Sequence, residues 1–262
     1  GLLTGRYHLR GGVTGVTQLQ EWLRSDEVTL AEVFQRAGYA TGCFGKWHNG
    51  GYWPAHPRGQ GFAEFFGFCG GHWNNYFDAV LEQNGQPIAT RGYLADALTE
   101  AACSFIAPPR ERPFFCYLAY NTPHSPFQVP DAYYNHHRDR VGAVELAAIY
   151  AMCENLDDNL GRLLRHLELQ GVRRDTIVVF LTDNGPNTER YNGGMRGRKG
   201  SVHEGGTRVP LVIRWPSRIR PGTVVPHIAS CIDLFPTLVE LCGLQSSAAS
   251  DKPLDGRSLV PL

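Results

Sequence analysis

The feature that most constrains the fold of this chain is the alternation of short apolar runs with longer segments of helical periodicity. Apolar runs of strand length cover Tyr39 to Phe44, Phe114 to Tyr120, Thr176 to Leu181 and Val209 to Trp215. Segments with helical spacing of apolar residues cover 29–37, 92–107, 143–170 and 233–242. Because strands that alternate with helices favour crossover connections, the pattern predicts an α/β fold with a mostly parallel central sheet and helices on both faces.

Local signals support several of these elements. Thr29 and Glu32 have the spacing of a capping box at the start of the first helix. The longest helix is expected to end at Gly171, since glycine commonly follows the last helical turn. The β-branched and apolar run from Thr176 to Leu181 predicts a strand that is buried on both faces.

Composition excludes several classes of protein. The chain has 262 residues, with 25 Lys and Arg against 25 Asp and Glu, so its formal net charge is zero. A general nucleic-acid binder normally has a basic excess, and a disordered chain has less apolar content than the 42 % found here. Apolar runs fall short of the about 18 residues that span a bilayer, so no membrane span is predicted.

The seven cysteines give no sign of a metal or redox motif. They are Cys43, Cys69, Cys103, Cys116, Cys153, Cys231 and Cys242. No pair has the C-x-x-C spacing of a zinc or thioredoxin-like site. The odd count and the length of the chain argue against a disulfide framework, so buried thiols are expected.

Polar residues follow three of the predicted strands. Lys46 and His48 come after the first, His124 comes after the second, and Asp183 and Asn184 come after the third. In open parallel sheets, ligands bind beyond the carboxyl ends of the strands. Each residue alone would more often be a surface or turn residue, but their equivalent positions predict a shared site.

The residue types indicate what such a site would hold. Asp183 and Asn184 offer oxygen ligands, which suit Ca²⁺ or Mg²⁺ better than zinc. Lys46 and the two histidines offer N–H donors for an anion with several oxygens. A glycine-rich, basic loop at 192–208 also precedes a strand. This loop is not a Walker motif, because Arg198 stands where that motif needs glycine before Lys199.

Several motifs together resemble the sulfatase family. Gly45-Lys46-Trp47-His48 resembles the second family signature, G-K-W-H-x-G, and Leu3-Thr4-Gly5-Arg6 resembles the end of the first, C-x-P-S-R-x-x-x-L-T-G-R. Further resemblances lie at Asp183-Asn184-Gly185, at Lys199-Gly200 with Glu204 to Pro210, and at Leu254 to Leu259. The motifs occur in family order and span nearly the whole chain. The resemblance implies the α/β fold of the alkaline-phosphatase superfamily.

The resemblance also implies a reaction. Sulfatases hydrolyse sulfate esters of arenes or carbohydrates with a formylglycine nucleophile, made from Cys or Ser, and a divalent metal. Carried over, the motifs make Asp183 and Asn184 ligands of Ca²⁺, with Mg²⁺ as the second candidate. Lys46 and Lys199 would bind the sulfate oxygens.

The remaining motif residues would complete that chemistry. By resemblance, His124 would contact the sulfate and the leaving group, where a general acid is useful. His48 would help to release sulfate from the formylglycine, and Arg6 would be a supporting residue of the substrate site.

The chain departs from the family pattern at its ends. The nucleophile of the first signature would fall before Gly1, and so would an aspartate pair that completes the metal site. A small C-terminal sheet domain would follow Leu262. The resemblance therefore implies that residues 1–262 are part of a sulfatase catalytic domain, and we expect the chain as given to be inactive.

The resemblance extends to partners and location of a longer parent protein. The parent would need a formylglycine-generating enzyme and would act on a sulfated small molecule or carbohydrate. By resemblance to the family, the parent protein would be located in a periplasmic, secreted or lysosome-like compartment. No nucleic acid is expected as a partner.

Two alternatives to a sulfatase stay open at this point. One is a phosphodiesterase or phosphonate monoester hydrolase of the same superfamily. The other is a non-catalytic domain that binds sulfated glycans, although such a domain would not need the complete set of polar residues. The sequence does not distinguish between sulfate esters, and the aromatic residues between Trp47 and Phe77 are expected to cover the core rather than bind a ligand.

Overall fold

The computed structural model of the chain describes residues 1–107, 112–244 and 252–262. These residues form two compact units, one of residues 1–163 with 225–262 and one of residues 164–224.

Helices and strands alternate over most of the chain. The helices are α1 (Leu30–Arg36), α2 (Leu94–Ile106), α3 (Asp131–His137), α4 (Val144–Leu169), α5 (Glu204–Thr207) and α6 (Leu234–Leu241). The strands are β1 (Ala40–Lys46), β2 (Glu64–Phe68), β3 (Val80–Gln83), β4 (Gln86–Ala89), β5 (Phe114–Ala119), β6 (Val178–Leu181) and β7 (Leu211–Arg214). Every predicted helix and strand is present, with ends that differ by a few residues.

The sheet of the first unit has the strand order β4-β3-β2-β1-β5. Its centre is parallel, since β1 pairs in parallel with both β2 and β5. The hairpin of β3 and β4 adds two antiparallel strands at one side. The parallel centre confirms the predicted α/β fold, and the hairpin makes the sheet mixed.

Helices cover both faces of this sheet. On one face, Phe115 of β5 stacks on Phe34 of α1 with ring centroids 4.8 Å apart. On the other face, Phe44 of β1 packs against Phe105 of α2 at 5.3 Å. Because successive side chains of a strand point to opposite faces, odd-numbered residues of β1 and β5 meet α1 and even-numbered ones meet α2. The predicted placement of helices on both faces of the sheet is confirmed.

The capping box at the start of α1 forms as predicted. The hydroxyl of Thr29 accepts a hydrogen bond from the backbone N–H of Glu32 at 3.1 Å, and the Glu32 carboxylate accepts one from the N–H of Thr29 at 2.8 Å. The same hydroxyl donates to the carbonyl of Gln60 at 2.7 Å. Thr29 therefore joins the helix to the loop that precedes β2.

A polar contact joins α4 to α2 within the first unit. The side-chain amides of Asn155 and Asn159 both donate to Asp96, at 3.1 and 2.6 Å. Both asparagines are buried, and Met152 of α4 packs in the apolar cluster around Leu98. Buried polar groups need such partners, so the triad fixes the register between the two helices.

The second unit contains a two-stranded ribbon. Here β6 pairs with β7 in antiparallel orientation, with Val178 opposite Arg214 and Leu181 opposite Leu211. The prediction that this strand is buried on both faces is wrong for this structure, because Phe180 is 36 % exposed and its neighbours are half-buried. A ribbon of two strands does not by itself cover both of its faces.

The aromatic segment from Trp47 to Phe77 divides between core and surface. Trp47, Phe62 and Tyr76 are buried, as expected for residues that cover a core, whereas Tyr52 and Trp53 are exposed. No helix among the described residues combines the length and the apolar content needed to cross a bilayer.

Candidate active site

The carboxyl ends of β2, β1 and β5 meet at one edge of the first unit's sheet. Lys46 lies opposite Phe68 and Gly45 lies opposite Ala119 in the parallel pairings. Gly45 has a φ of +108°, and a Cβ there would collide with the carbonyl of Ala119. Glycine therefore allows the three strands to approach closely just where the candidate residues begin.

Lys46 is the last residue of β1 and is half-buried. The strand continues into Trp47, whose backbone N–H donates to the carbonyl of Phe68 at 3.0 Å. The indole N–H of Trp47 donates to the carbonyl of Ala55 at 2.9 Å, and the ring packs edge-on against Phe62. The tryptophan thus anchors the segment that carries Lys46 and His48.

His48 is held in an unusual backbone conformation. Its φ is +52°, in the left-handed region that non-glycine residues seldom adopt. Its ring Nε2 lies 2.9 Å from the carbonyl of Val16. Because a carbonyl only accepts hydrogen bonds, Nε2 carries a proton, and Nδ1 of the neutral ring keeps a lone pair. Strain of this kind is often found at functional positions.

His124 follows β5 and is held by its own loop. Its ring Nδ1 donates to the carbonyl of Ser125 at 2.7 Å, so Nε2 is the nitrogen available to a ligand. The backbone carbonyl of His124 accepts a hydrogen bond of 2.6 Å from the buried hydroxyl of Tyr76. Burial raises the pKa of Tyr76 above its usual value, so this hydroxyl stays a donor.

Arg6 is a brace between distant segments of the first unit. Its Nε lies 3.0 Å from the Glu27 carboxylate, and its Nη1 donates to the carbonyl of Pro253 at 2.8 Å. Glu27 in turn accepts a hydrogen bond of 2.8 Å from Lys252. The arginine is buried and engaged in these contacts, and its role near a substrate stays a prediction.

The second unit places its own three candidate residues on two segments that pack against each other. Asp183 and Asn184 follow β6, and the backbone N–H of Lys199 donates to the carbonyl of Pro186 at 2.8 Å. The N–H of Gly185 donates to the carbonyl of Gly206 at 3.0 Å. The glycine-rich loop therefore packs against the turn that carries the two oxygen donors.

Glycines are required for that packing. A Cβ at Gly185 would collide with the carbonyl of Gly205, and one at Gly206 would collide with the carbonyl of Ser201. Asp183 is exposed, and the Asn184 side-chain amide donates to the carbonyl of Gly185 at 2.9 Å. That contact uses the Nδ2 atom and leaves the Oδ1 lone pairs of Asn184 for another partner.

Two residues near the first unit's edge were not among the predicted site residues, and His72 belongs to the segment that was expected to cover the core. His72 lies in the loop after β2, and its ring is nearly parallel to that of His124, with centroids 5.9 Å apart. Asn121 is 6 % exposed, and neither of its side-chain polar atoms has a hydrogen-bond partner among the described residues. A buried amide without a partner is costly, so it marks a position where another group is expected to bind.

A third cluster, of His56, Cys69 and Glu82, has metal-ligand residue types. The backbone N–H of Arg58 donates to Nδ1 of His56, so the proton of the neutral ring lies on Nε2. Nε2 donates that proton to the Glu82 carboxylate in a hydrogen bond of 2.8 Å. That nitrogen therefore has no lone pair for a metal. The cluster is explained as a hydrogen-bonded pair beside a thiol.

Four of the seven thiols have raised pKa values, which disfavour the nucleophilic thiolate form. Burial, with a smaller effect of Glu82, raises the pKa of Cys69 to about 12. Burial also raises the pKa values of Cys43, Cys103 and Cys242 above the ordinary range. A protonated thiol is a poor nucleophile, so these four cysteines do not replace a formylglycine.

Comparison with known proteins identifies the family. A family model described as Sulfatase matches residues 1–244. An uncharacterized sulfatase of Escherichia coli, YdeN, is 30 % identical over 99 % of this chain and 51 % of its own length. Human arylsulfatase A is 32 % identical over 100 % of this chain and 56 % of its own length. The chain therefore spans about half the length of these relatives.

A solved structure agrees in fold. The crystal structure of Ps i-CgsB in complex with k-i-k-neocarrahexaose superposes with a TM-score of 0.89 and 29 % identity. The match covers 99 % of this chain and 63 % of that one. With a family model that matches most of its length and relatives about 30 % identical along nearly all of it, the chain belongs to the sulfatase family.

Proposed function

We propose that a full-length protein carrying this chain hydrolyses sulfate esters of arenes or carbohydrates. The single observation that carries the proposal is that Lys46 and His48 stand at the carboxyl end of β1 and His124 follows β5, its parallel neighbour in the sheet. The lysine cation suits an anion with several oxygens, and each imidazole donates to such an anion when both of its ring nitrogens carry protons. Membership of the sulfatase family supports sulfate as that anion.

The second unit carries two residues that fit a metal ion. Asp183 and the Oδ1 atom of Asn184 are hard oxygen donors on one turn, and they fit Ca²⁺, or Mg²⁺ as the second candidate. Calcium takes about six to eight oxygen ligands, so further donors would be needed. When bound, the metal would polarise a sulfate oxygen and the nucleophile.

In this proposal, the two lysines stabilise charge and the two histidines transfer protons. Lys46 and Lys199 would stabilise negative charge on the sulfate oxygens as the ester bond breaks. His124, as an imidazolium with Nδ1–H fixed on the Ser125 carbonyl, would deliver the proton on Nε2 to the leaving-group oxygen and become the neutral ring. His48, with Nε2–H fixed on the Val16 carbonyl, would accept a proton at Nδ1 when sulfate is released from the nucleophile.

The nucleophile proposed for the full-length protein is formylglycine, supplied by a segment before Gly1. This proposal rests on the resemblance of residues 3–6 to the end of the family signature. It also rests on the raised pKa values of the buried thiols, which leave them protonated. The protein would need a formylglycine-generating enzyme during its synthesis, and the chain as given is expected to be inactive.

The experiment is a comparison of substrates by the full-length protein, co-expressed with a formylglycine-generating enzyme. We expect turnover of 4-nitrophenyl sulfate that exceeds turnover of bis-4-nitrophenyl phosphate. Lys46→Ala and Lys199→Ala should each lower kcat about 10²-fold, the usual effect of removing a group that stabilises developing charge. Arg220→Ala, an exposed basic residue, is the control.

Three outcomes would contradict the proposal or part of it. Preferential hydrolysis of the phosphate diester would favour the phosphodiesterase alternative. Binding of sulfated glycans without any turnover would favour the non-catalytic alternative. Turnover by residues 1–262 alone would show that a formylglycine from an upstream segment is not required.

A further inference from the structure

We propose that His72 is a substrate-specificity residue that binds the hydroxyl groups of a sugar leaving group. The inference rests on the proposed sulfatase function and adds a residue and a substrate class to it. The alcohol part of the sulfated substrate would then bind in a cleft beside His124. Carbohydrate sulfates, rather than simple aryl sulfates, are then the preferred substrates.

The cleft lies entirely within the first unit. It has a volume of about 640 Å³ and is lined by His72, Asn74, His124, Ser125, Pro126 and Gln128. That volume is in the usual range for small-molecule sites. Five of the six residues carry side chains with hydrogen-bonding groups, which can bind the hydroxyl groups of a sugar.

His72 is free to bind a ligand in this cleft. Its side chain is exposed, and its ring lies at 17° to that of His124 with centroids 5.9 Å apart. Among the contacts of the described residues, no hydrogen bond uses either ring nitrogen of His72. A neutral imidazole has one donor and one acceptor, so it can bind sugar hydroxyls in both senses.

The position of His72 is fixed from both sides. On one side, Gly71 packs against the ring of His48, where a Cβ would lie 2.6 Å from two ring atoms. On the other side, Trp73 stacks on Phe68 with centroids 5.1 Å apart. His72 is therefore presented by an anchored segment, next to a residue of the proposed catalytic set.

The two walls of the cleft are also joined to each other. Gln128 accepts a hydrogen bond of 2.9 Å from the backbone N–H of Tyr76 and donates one of 3.3 Å to the carbonyl of Asn74. The Tyr76 hydroxyl donates to the carbonyl of His124. These bonds hold the loop after β2 against the loop after β5, so the spacing between His72 and His124 is set before a ligand arrives. Such preorganisation lowers the entropic cost of binding.

The test compares two substrates in the full-length protein. For His72→Ala, we expect the ratio of kcat/KM on hexosamine 6-sulfates to kcat/KM on 4-nitrophenyl sulfate to fall about tenfold, the loss of one or two hydrogen bonds to the sugar. The loss should lie mainly in KM for the sugar. His72→Gln, which keeps a donor and an acceptor, should recover most of the ratio.

Controls separate this inference from the proposed function. His227→Ala changes an exposed histidine outside the cleft and should leave the ratio unchanged. A wild-type protein active on both substrates, with a ratio unaffected by His72→Ala, would overturn the role of His72 alone. Absence of wild-type sulfatase activity would overturn the proposed function, and this inference with it. Equal thermal unfolding temperatures of wild type and both His72 variants would exclude a folding defect.

Discussion

Gly38 and Gly45 both have positive φ values, +86° and +108°, but only Gly45 lies where a side chain would collide with its surroundings. Substituting each of them therefore distinguishes the cost of the backbone conformation from the cost of the collision. A Cβ at Gly38 would meet nothing within 4 Å, whereas one at Gly45 would collide with the carbonyl of Ala119. The pair therefore tests how much of the close approach of β1 and β5 depends on the missing side chain.

We expect Gly45→Ala to destabilise the protein by about 3 kcal/mol or more, since overpacking adds to the cost of a left-handed alanine. Gly38→Ala should cost only about 1 to 2 kcal/mol, the conformational part alone. Urea unfolding of both variants, compared with wild type, gives the two values. Equal losses would mean that the strands move apart at little cost and that the edge is not tightly packed.

The candidate residues differ in how visible they are in the sequence. Lys46, His48 and His124 follow apolar runs of strand length, so their position at strand ends could be predicted from the pattern. The position of His72 in the site could not be predicted, because β2 was not predicted and a histidine in a glycine-rich loop has no characteristic spacing. The contacts of Arg6 with Glu27 and Pro253 were equally hidden, since they join residues far apart in the chain.

Among the elements, α1 begins at a residue, Thr29, whose hydroxyl makes two different hydrogen bonds. The Thr29 hydroxyl caps the helix and also donates to the Gln60 carbonyl. The capping pattern was readable from the sequence, whereas the second contact depends on the tertiary fold.

We expect Thr29→Ala to cost about 2 kcal/mol, since the variant loses the cap and leaves a buried carbonyl without its donor. Thr29→Ser keeps the hydroxyl and should cost less than half as much. Urea unfolding at neutral pH would check both. A Thr29→Ser variant as unstable as Thr29→Ala would show that the methyl group, not the hydroxyl, stabilises this position.

The hairpin of β3 and β4 was missed although its signal is present. Asn84 and Gly85 form its two-residue turn, both with positive φ values. Asn-Gly is the preferred sequence for a turn of that geometry. The flanking strands are short and half-exposed, so their apolar pattern was too weak to mark them. A pattern of apolar residues also does not show whether neighbouring strands run parallel or antiparallel. The antiparallel pairing of β6 with β7 was therefore not predicted.

On the scale of the whole molecule, a cluster of charges joins segments more than 200 residues apart. Lys252 lies 3.0 Å from the carboxylate of Asp26 and 2.8 Å from that of Glu27. Arg24 lies 2.7 Å from Asp26 on its other side. No periodic pattern encodes these contacts, since they depend on where the two segments meet in the folded chain.

The charge cluster predicts a pH dependence of stability. Hydrogen bonds from Arg24, and then from Lys252, lower the pKa of Asp26 from 3.8 to about 2. A carboxylate whose pKa is lower in the folded than in the unfolded protein stabilises the fold above about pH 4. That contribution is lost as the pH falls through the interval from about 4 to about 2.

We therefore expect Asp26→Asn to lower the urea midpoint at pH 6, with a difference from wild type that shrinks as the pH approaches 2.5. Salt at 0.5 M should reduce the difference at pH 6, because Asp26 and its partners are partly exposed and screened. Asp139→Asn is the control, since Asp139 is 82 % exposed and pairs only with its neighbour Arg138 among the described residues. An Asp26→Asn variant whose deficit is the same at pH 6 and pH 2.5 would mean that Asp26 acts through packing. The charges would then not be what joins Lys252 to the segment around Asp26.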